Sequence, residues 1–141
     1  MIIKILNLCL LDQATKWLAY HSSLPQLPLL QWTLTFNKGC SFNIGAELHL
    51  ILLIFLQISI WLYIWRSFAA TPVRTLVTAG FLSNLLDRFT YGGVVDFIYL
   101  KTPMLHLPFI FNLADVYISL ASILIIFDCY EKTKLKAGNT V

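Results

Sequence analysis

Charged side chains are scarce in this sequence, and their scarcity already narrows the class of protein. Only 12% of the 141 residues are Asp, Glu, Lys or Arg, whereas 58% are hydrophobic and the mean hydropathy is +0.75. A soluble domain is roughly 25% charged and roughly 45–50% apolar. The composition therefore excludes an ordinary water-soluble core and predicts a chain surrounded largely by lipid. The net charge of +3 is too small to indicate nucleic-acid binding.

Cysteines are also few, and their pattern excludes several kinds of site. Cys9, Cys40 and Cys129 form an odd set without a CxxC or Cys/His cluster, which argues against a disulfide framework and a zinc site. We expect Cys9 and Cys129 to be small buried hydrophobic residues. No thiol or Ser/His set suits nucleophilic catalysis, and the sequence implies neither metal nor cofactor.

Four long apolar segments predict an all-α membrane protein with four transmembrane helices in a single domain, residues 1–141. Each is close to the ~20 residues that cross ~30 Å of hydrocarbon. The first is expected to be an uncleaved helix, because no small-residue cleavage site follows it. Ionisable residues lower the hydropathy of the first, third and fourth. The predicted helices cover about 1–20, 48–65, 71–89 and 108–130.

Basic residues in the connections predict the orientation of the chain. With four spans, one side holds Lys4, Arg66, Arg74, Lys132, Lys134 and Lys136, and the other holds Lys16, Lys38, Arg88 and Lys101. The first side is expected to be the cytoplasm, with both termini on it.

A small β element is predicted between the first two helices, at about residues 28–46. Apolar and polar residues alternate from Leu30 to Asn37, which is the pattern of a strand with one apolar face. We expect this element to lie on the outer surface of the membrane, and the connection at about 90–107 to be a shorter outer loop.

Polar residues within the apolar segments converge at one depth, just below the outer surface. Such residues are costly in a membrane and are functional candidates by default. They lie at the outer ends of three predicted helices or beside them: Asp12, Lys16, Asn84, Asp87, Arg88, Asp96, Asn112 and Asp115. Asp12 and Lys16 are four residues apart and are expected to form a stabilising pair on one face of the first helix.

Three carboxylates in this cluster, Asp87, Asp96 and Asp115, suit the chemistry of an aspartic protease. Two carboxylates held close share a proton, so that one activates a water while the other donates to the substrate carbonyl. The spacing alone does not show which two of the three carboxylates form the pair. Asp87 adjoins Arg88 and is expected to form a structural ion pair with it, which favours Asp96 with Asp115.

The order of these residues resembles that of lipoprotein signal peptidase (signal peptidase II). The blocks that carry the resemblance span nearly the whole chain: Asp12–Lys16 (Asp-Gln-Ala-Thr-Lys), Asn37–Phe42 (Asn-Lys-Gly-Cys-Ser-Phe), Gly80–Arg88 followed by Gly93–Ile98, and Phe111–Asp115 (Phe-Asn-Leu-Ala-Asp). The sequence departs from the family pattern at Ala79, Ser83 and Asn43, where glycines are usual, and at Cys40 and Ser41, where alanines are usual.

The resemblance implies an aspartyl endopeptidase of the bacterial cytoplasmic membrane, active near the extracytoplasmic face. Its substrates would be lipid-modified prolipoproteins, cut before the diacylglyceryl-modified cysteine, and its other partners would be membrane lipids. The β element would be the family's β-cradle, and a monomer is expected. Asp96 and Asp115 would be catalytic, supported by Asp12, Lys16, Asn37, Gly39, Asn84, Asp87, Arg88, Asn112 and Ala114.

Two other functions remain as alternatives. A transporter or channel should carry polar groups through the midplane and inner half. The second helix offers only Gln57 and Ser59 there, and the fourth only Ser119 and Ser122. An inactive homologue that binds lipid or a partner helix is supported only by the departures at Asn43 and Ser83.

Overall fold

The computed structural model describes residues 1–22, 30–39, 50–101 and 109–138, and these form four helices and a small sheet. The helices have 20, 18, 21 and 26 residues, so the shortest is about 27 Å long. The elements follow the order α1 (Ile2–His21), β1 (Leu30–Asn37), α2 (Leu50–Ser67), α3 (Thr71–Tyr91), β2 (Val94–Leu100), β3 (Phe109–Phe111) and α4 (Leu113–Gly138).

The outer surfaces of the helices are strongly apolar. In α2 only Leu53 is buried, and large hydrophobic side chains cover most of the rest of its surface. Among the described residues, two helices are long and apolar enough to cross a membrane by length and composition: Leu50–Ser67, with hydropathy 1.8, and Leu113–Leu135, with hydropathy 1.7. Charges that lie inside the bundle lower the hydropathy of α1 and α3.

Helix α3 is the centre of the bundle and packs on the other three helices. Its contact with α4 is close because Gly80 faces the backbone of that helix: a Cβ at Gly80 would lie 2.7 Å from the carbonyl oxygen of Ala114. Small residues permit this approach, and Ala79, Ala114 and Ala121 are fully buried at it. The distance between α3 and α4 is therefore fixed by residues that have almost no side chain.

The three strands form an antiparallel sheet in the order β1-β2-β3. The β element predicted between the first two helices is therefore part of a larger sheet, to which the predicted loop at 90–107 contributes its central strand. Residues 28, 29 and 40–46 of the predicted element lie outside the described residues. Helix α4 begins at Leu113 rather than about 108, because Phe109–Phe111 pair with β2 instead of continuing the helix.

The sheet packs against α1 and α3. α1 and α3 lead into β1 and β2, and α2 and α4 begin after β1 and β3. Asp96 lies opposite Thr35 in the ladder, and Trp32 stacks on Phe97 with ring centroids 5.6 Å apart. Far from the sheet, Cys129 is exposed on α4, so the expectation that it is buried is wrong; it lies on the apolar outer surface of that helix.

Candidate active site

A buried ion group joins α1 to α3 beside the sheet. The Lys16 ammonium lies 2.6 Å from an Asp12 carboxylate oxygen and 2.7 Å from an Asp87 carboxylate oxygen. All three side chains are at most 3% exposed. Asp12 and Lys16 are four residues apart, so they share one face of α1, as predicted. One cation thus neutralises part of the charge of two carboxylates that are shielded from solvent.

Hydrogen bonds from four elements complete the environment of these carboxylates. Asp12 accepts from the Ser83 hydroxyl at 2.6 Å and from the Ala114 N–H, at the start of α4, at 2.8 Å. Asp87 accepts from the Gln13 amide at 2.8 Å and from the Val95 N–H, in β2, at 3.1 Å. The ion group therefore fixes where α4 and β2 lie relative to α1 and α3.

Asn112 and Asp115 cap the start of α4 reciprocally. The Asp115 N–H donates to the Asn112 side-chain oxygen at 3.0 Å, and the Asn112 N–H donates to an Asp115 carboxylate oxygen at 3.2 Å. This is the capping-box arrangement of a helix N-terminus, here with Asn at the cap and Asp three residues on. It holds the Asp115 carboxylate against the end of its own helix.

Two asparagine amides connect Asp115 to Asp96. Asn112 Nδ2 donates to Asp96 at 2.7 Å and to the side-chain oxygen of Asn84 at 3.2 Å. Asn84 Nδ2 donates to Asp115 at 3.1 Å, and its oxygen also accepts from the Lys16 ammonium at 3.0 Å. Both carboxylates therefore bond to the same residue, Asn112, although they lie on a strand and a helix that are separate in the chain.

Asp96 is in an environment that favours its protonated form. Burial and then the charge of nearby Asp115 raise the pKa of Asp96 to about 7, against the opposing hydrogen bonds from Asn37 and Asn112. Asn37 Nδ2 donates to the second Asp96 oxygen at 3.0 Å. One proton is thus held or released at this carboxyl near neutral pH.

The turn after β1 is tied to α3. The Gly39 N–H donates to the Asn37 side-chain oxygen at 2.9 Å, and the Gly39 carbonyl accepts from Arg88 at 2.8 Å. Arg88 also donates to the Asn84 carbonyl at 3.2 Å. The predicted Asp87–Arg88 ion pair is therefore wrong: the two residues are adjacent on a helix and point apart, so Asp87 pairs with Lys16 and Arg88 reaches the turn.

A cavity of about 180 Å³ opens beside Asp115. At roughly 30 Å³ for each water, it is large enough for a short stretch of peptide backbone or for several waters. Its described lining combines polar groups of the site with apolar groups of the helices: Asn37, Asn84, Arg88, Asp115, Leu56, Gln57, Ile60, Val94 and Ile118. Asp115 therefore faces a space that a substrate could enter.

The candidate catalytic and supporting residues all lie in one continuous hydrogen-bonded group, with Gly39 and Ala114 joined to it through their backbones. Sequence reasoning missed the parts played by Gln13 and Ser83. The Gln13 amide donates to both the Ser83 hydroxyl and Asp87. Ser83 stood out only as a departure from the family pattern. In the described part of the chain, no group of three or more His, Cys, Asp or Glu side chains could hold a metal ion.

Comparison with known proteins identifies the family. The family model described as signal peptidase (SPase) II matches residues 4–131. A lipoprotein signal peptidase of Acinetobacter baumannii is 35% identical over 92% of this chain and 82% of its own length. One from Polynucleobacter necessarius is 35% identical over 93% and 89%.

Two solved structures share the fold, and both are described as bacterial membrane enzymes studied by the in meso method. The one at 2.3 Å resolution has a TM-score of 0.75 and 26% identity, with 96% of this chain and 90% of the other covered. The one at 1.9 Å has a TM-score of 0.68 and 26% identity, with 91% and 90% covered. The chain therefore belongs to the lipoprotein signal peptidase (signal peptidase II) family of bacterial membrane enzymes, which process prolipoproteins.

Proposed function

We propose that this chain is an aspartyl endopeptidase that removes signal peptides from prolipoproteins, cutting before the diacylglyceryl-modified cysteine, with Asp96 and Asp115 as its catalytic pair. The observation that carries the proposal is that both carboxylates accept a hydrogen bond from Asn112. The negative charge of Asp115 also contributes to the raised pKa of Asp96. Two carboxylates coupled in this way cannot both ionise cheaply, so they share one proton.

The reaction divides between the two carboxylates according to their surroundings. Asp96, whose pKa is about 7, holds the proton and donates it to the oxygen of the scissile carbonyl. Ionised Asp115 faces the cavity and takes a proton from the water that adds to the carbonyl carbon. When the tetrahedral intermediate collapses, the proton on Asp115 passes to the leaving amine and the proton taken up by the carbonyl oxygen returns to Asp96.

The surrounding groups position this pair without joining the reaction. The amides of Asn37, Asn84 and Asn112 orient the carboxylate oxygens, and Lys16 fixes which side of the Asn84 amide faces Asp115. Because these donors are already in place, little reorganisation is needed during proton transfer.

The membrane arrangement proposed with this function has all four helices as spans. On α1, Ile3, Leu10 and Trp17 recur every seven residues and are 73%, 67% and 62% exposed, which is the spacing of one lipid-facing stripe. The charges of Asp12 and Lys16 are buried and paired, which offsets their cost inside a bilayer. The termini then lie in the cytoplasm, the sheet forms a β-cradle on the extracytoplasmic face of the bacterial cytoplasmic membrane, and the chain acts as a monomer.

The test is cleavage of a lipidated prolipoprotein by the purified full chain in lipid nanodiscs, with the new N-terminus identified by mass spectrometry. Cleavage before the lipidated cysteine is expected. Asp96→Asn and Asp115→Asn should each be slower by at least about 10²-fold, the lower range for general acid–base catalysis. The matched control Asp128→Asn changes an exposed aspartate paired with Lys132 and should stay fully active. Absence of cleavage by the unmodified chain, or full activity of Asp96→Asn, would contradict the proposal.

A further inference from the structure

The lining of the cavity beside Asp115 includes one polar side chain, Gln57, that the proposed reaction does not use. Gln57 comes from α2, whereas Asn84, Arg88, Asp115 and Ile118 line the cavity from α3 and α4. Its neighbours on the α2 side, Leu56 and Ile60, are apolar. A peptide that reaches Asp115 through this cavity therefore passes the Gln57 amide, the one polar side chain among the described lining residues of α2.

The side-chain oxygen of Gln57 is buried, and within the described residues it accepts no hydrogen bond. Nearly all buried polar atoms in native proteins have a partner, and an acceptor without one costs stability. The other polar side chain near the middle of α2 behaves differently: the Ser59 hydroxyl donates to the Phe55 carbonyl at 2.8 Å. Gln57 thus has an unused acceptor beside the cavity, and the soft terminal torsion of glutamine lets its amide turn toward a donor.

The chemistry of the substrate restricts which donor this can be. A diacylglyceryl thioether offers ester oxygens, which accept hydrogen bonds but cannot donate them. The peptide backbone of the signal peptide offers N–H groups, and these lose their water when the peptide enters an apolar cavity. A backbone N–H that donates to the Gln57 oxygen would therefore give both desolvated groups a hydrogen bond.

We propose that Gln57 is a substrate-binding residue whose side-chain oxygen accepts a hydrogen bond from one backbone N–H of the signal peptide. This inference rests on the proposed peptidase function and adds a contact opposite the catalytic pair. The contact fixes the register of the bound peptide, which determines the peptide bond that lies against Asp96 and Asp115. Since the contact exists before the reaction begins, its loss affects KM more than kcat.

The experiment combines two substitutions with an ester scan of the substrate. Lipidated peptides are prepared in which one backbone N–H at a time, other than that of the scissile bond, is replaced by an ester oxygen. With the unmodified chain, one position should raise KM about tenfold, the effect of one lost hydrogen bond. With Gln57→Met, KM should already be about tenfold higher, and that ester should have no further effect, as in a double-mutant cycle. Ser59→Ala should leave KM and the ester effect unchanged.

Each outcome either supports or overturns substrate binding by Gln57. If Gln57→Met does not insert or fold, Gln57→Asn serves instead, because it keeps an amide but shortens its reach and should lose the same coupling. The inference would be overturned, and the peptidase function left intact, by equal KM values for Gln57→Met and the unmodified chain. An ester effect that persists in Gln57→Met, or in Gln57→Asn where that variant replaces it, would overturn it in the same way. Failure of the unmodified chain to cut the parent peptide would overturn both. A single ester position whose effect depends on residue 57 supports it.

Discussion

Replacing Lys16 with Met should destabilise the protein strongly, because it removes the single cation between two buried carboxylates. Lys16 lies 2.6 Å from Asp12 and 2.7 Å from Asp87, and it also donates to Asn84 at 3.0 Å. Breaking a buried ion pair by removing one partner typically costs about 3–5 kcal/mol, because a charge is left uncompensated. Methionine has similar length, so the loss of charge dominates over any change in packing.

The hydrogen bonds that Asp12 and Asp87 keep in Lys16→Met determine where the loss of stability falls between about 3 and 5 kcal/mol. Asp12 keeps its hydrogen bonds from Ser83 and Ala114, and Asp87 keeps those from Gln13 and Val95. Because each carboxylate retains two donors, we expect a loss near the lower end, about 3 kcal/mol. Asn84 also loses one of the two donors that fix its amide, so kcat should fall as well as stability.

The assay is reversible unfolding of the purified protein in bicelles, followed by tryptophan fluorescence. Lys132→Met is the matched control, since Lys132 pairs with Asp128 on the exposed surface of α4, with 64% of its side chain accessible. That variant should unfold like the original protein. The double variant Lys16→Met/Asp87→Asn should recover part of the loss, because one of the two uncompensated charges is gone. A change below about 0.5 kcal/mol for Lys16→Met is the range of ordinary surface substitutions, and it would show that Lys16 does not stabilise the two buried carboxylates.

Three further predictions concern the catalytic pair and the helices that hold it. Above about pH 7, kcat/KM should fall by about tenfold per pH unit, because Asp96, whose pKa is raised to about 7, loses the proton that it donates; a flat profile to pH 9 would contradict this. Asn112→Leu should lower kcat about tenfold to a hundredfold, because Asp96 loses the hydrogen bond from Asn112 Nδ2 and the Asp115 N–H loses the side-chain oxygen that caps α4; near-normal kcat in a folded variant would show that these contacts do not position the catalytic pair. Gly80→Ala should cost about 1–3 kcal/mol in bicelle unfolding, because its Cβ would lie 2.7 Å from the Ala114 carbonyl oxygen; an unchanged midpoint would show that α3 and α4 are less tightly packed.

The sequence predicted the local parts of the site better than the long-range ones. The four-residue spacing of Asp12 and Lys16 predicted their pairing, and the alternation from Leu30 to Asn37 predicted a strand. Each of these patterns depends on one element only. The partner of Asp87 could not be read in the same way, because adjacency to Arg88 in the chain says little about helix faces: neighbours on a helix point about 100° apart.

The central strand of the sheet was missed because its pattern differs from that of a half-exposed strand. In β2 the residues from Val94 to Ile98 are all buried, so no alternation marks them, and a short apolar run cannot be distinguished from loop or helix by periodicity. β3 has only three residues, and the apolar stretch that contains it extended the predicted fourth helix by about five residues. The Asn-x-x-Asp spacing at Asn112 was a signal for the true start of α4 that could have been used.

Infrared titration of the purified protein measures whether Asp96 and Asp115 share one proton near neutral pH. Difference spectra between about pH 5 and about pH 9 should show the loss of one protonated carboxyl band with a midpoint at about pH 7. The band should be absent in Asp96→Asn and unchanged in the control Asp128→Asn. If both carboxyl groups of the pair are already ionised at pH 5, the shared proton does not exist and the proposed mechanism is wrong.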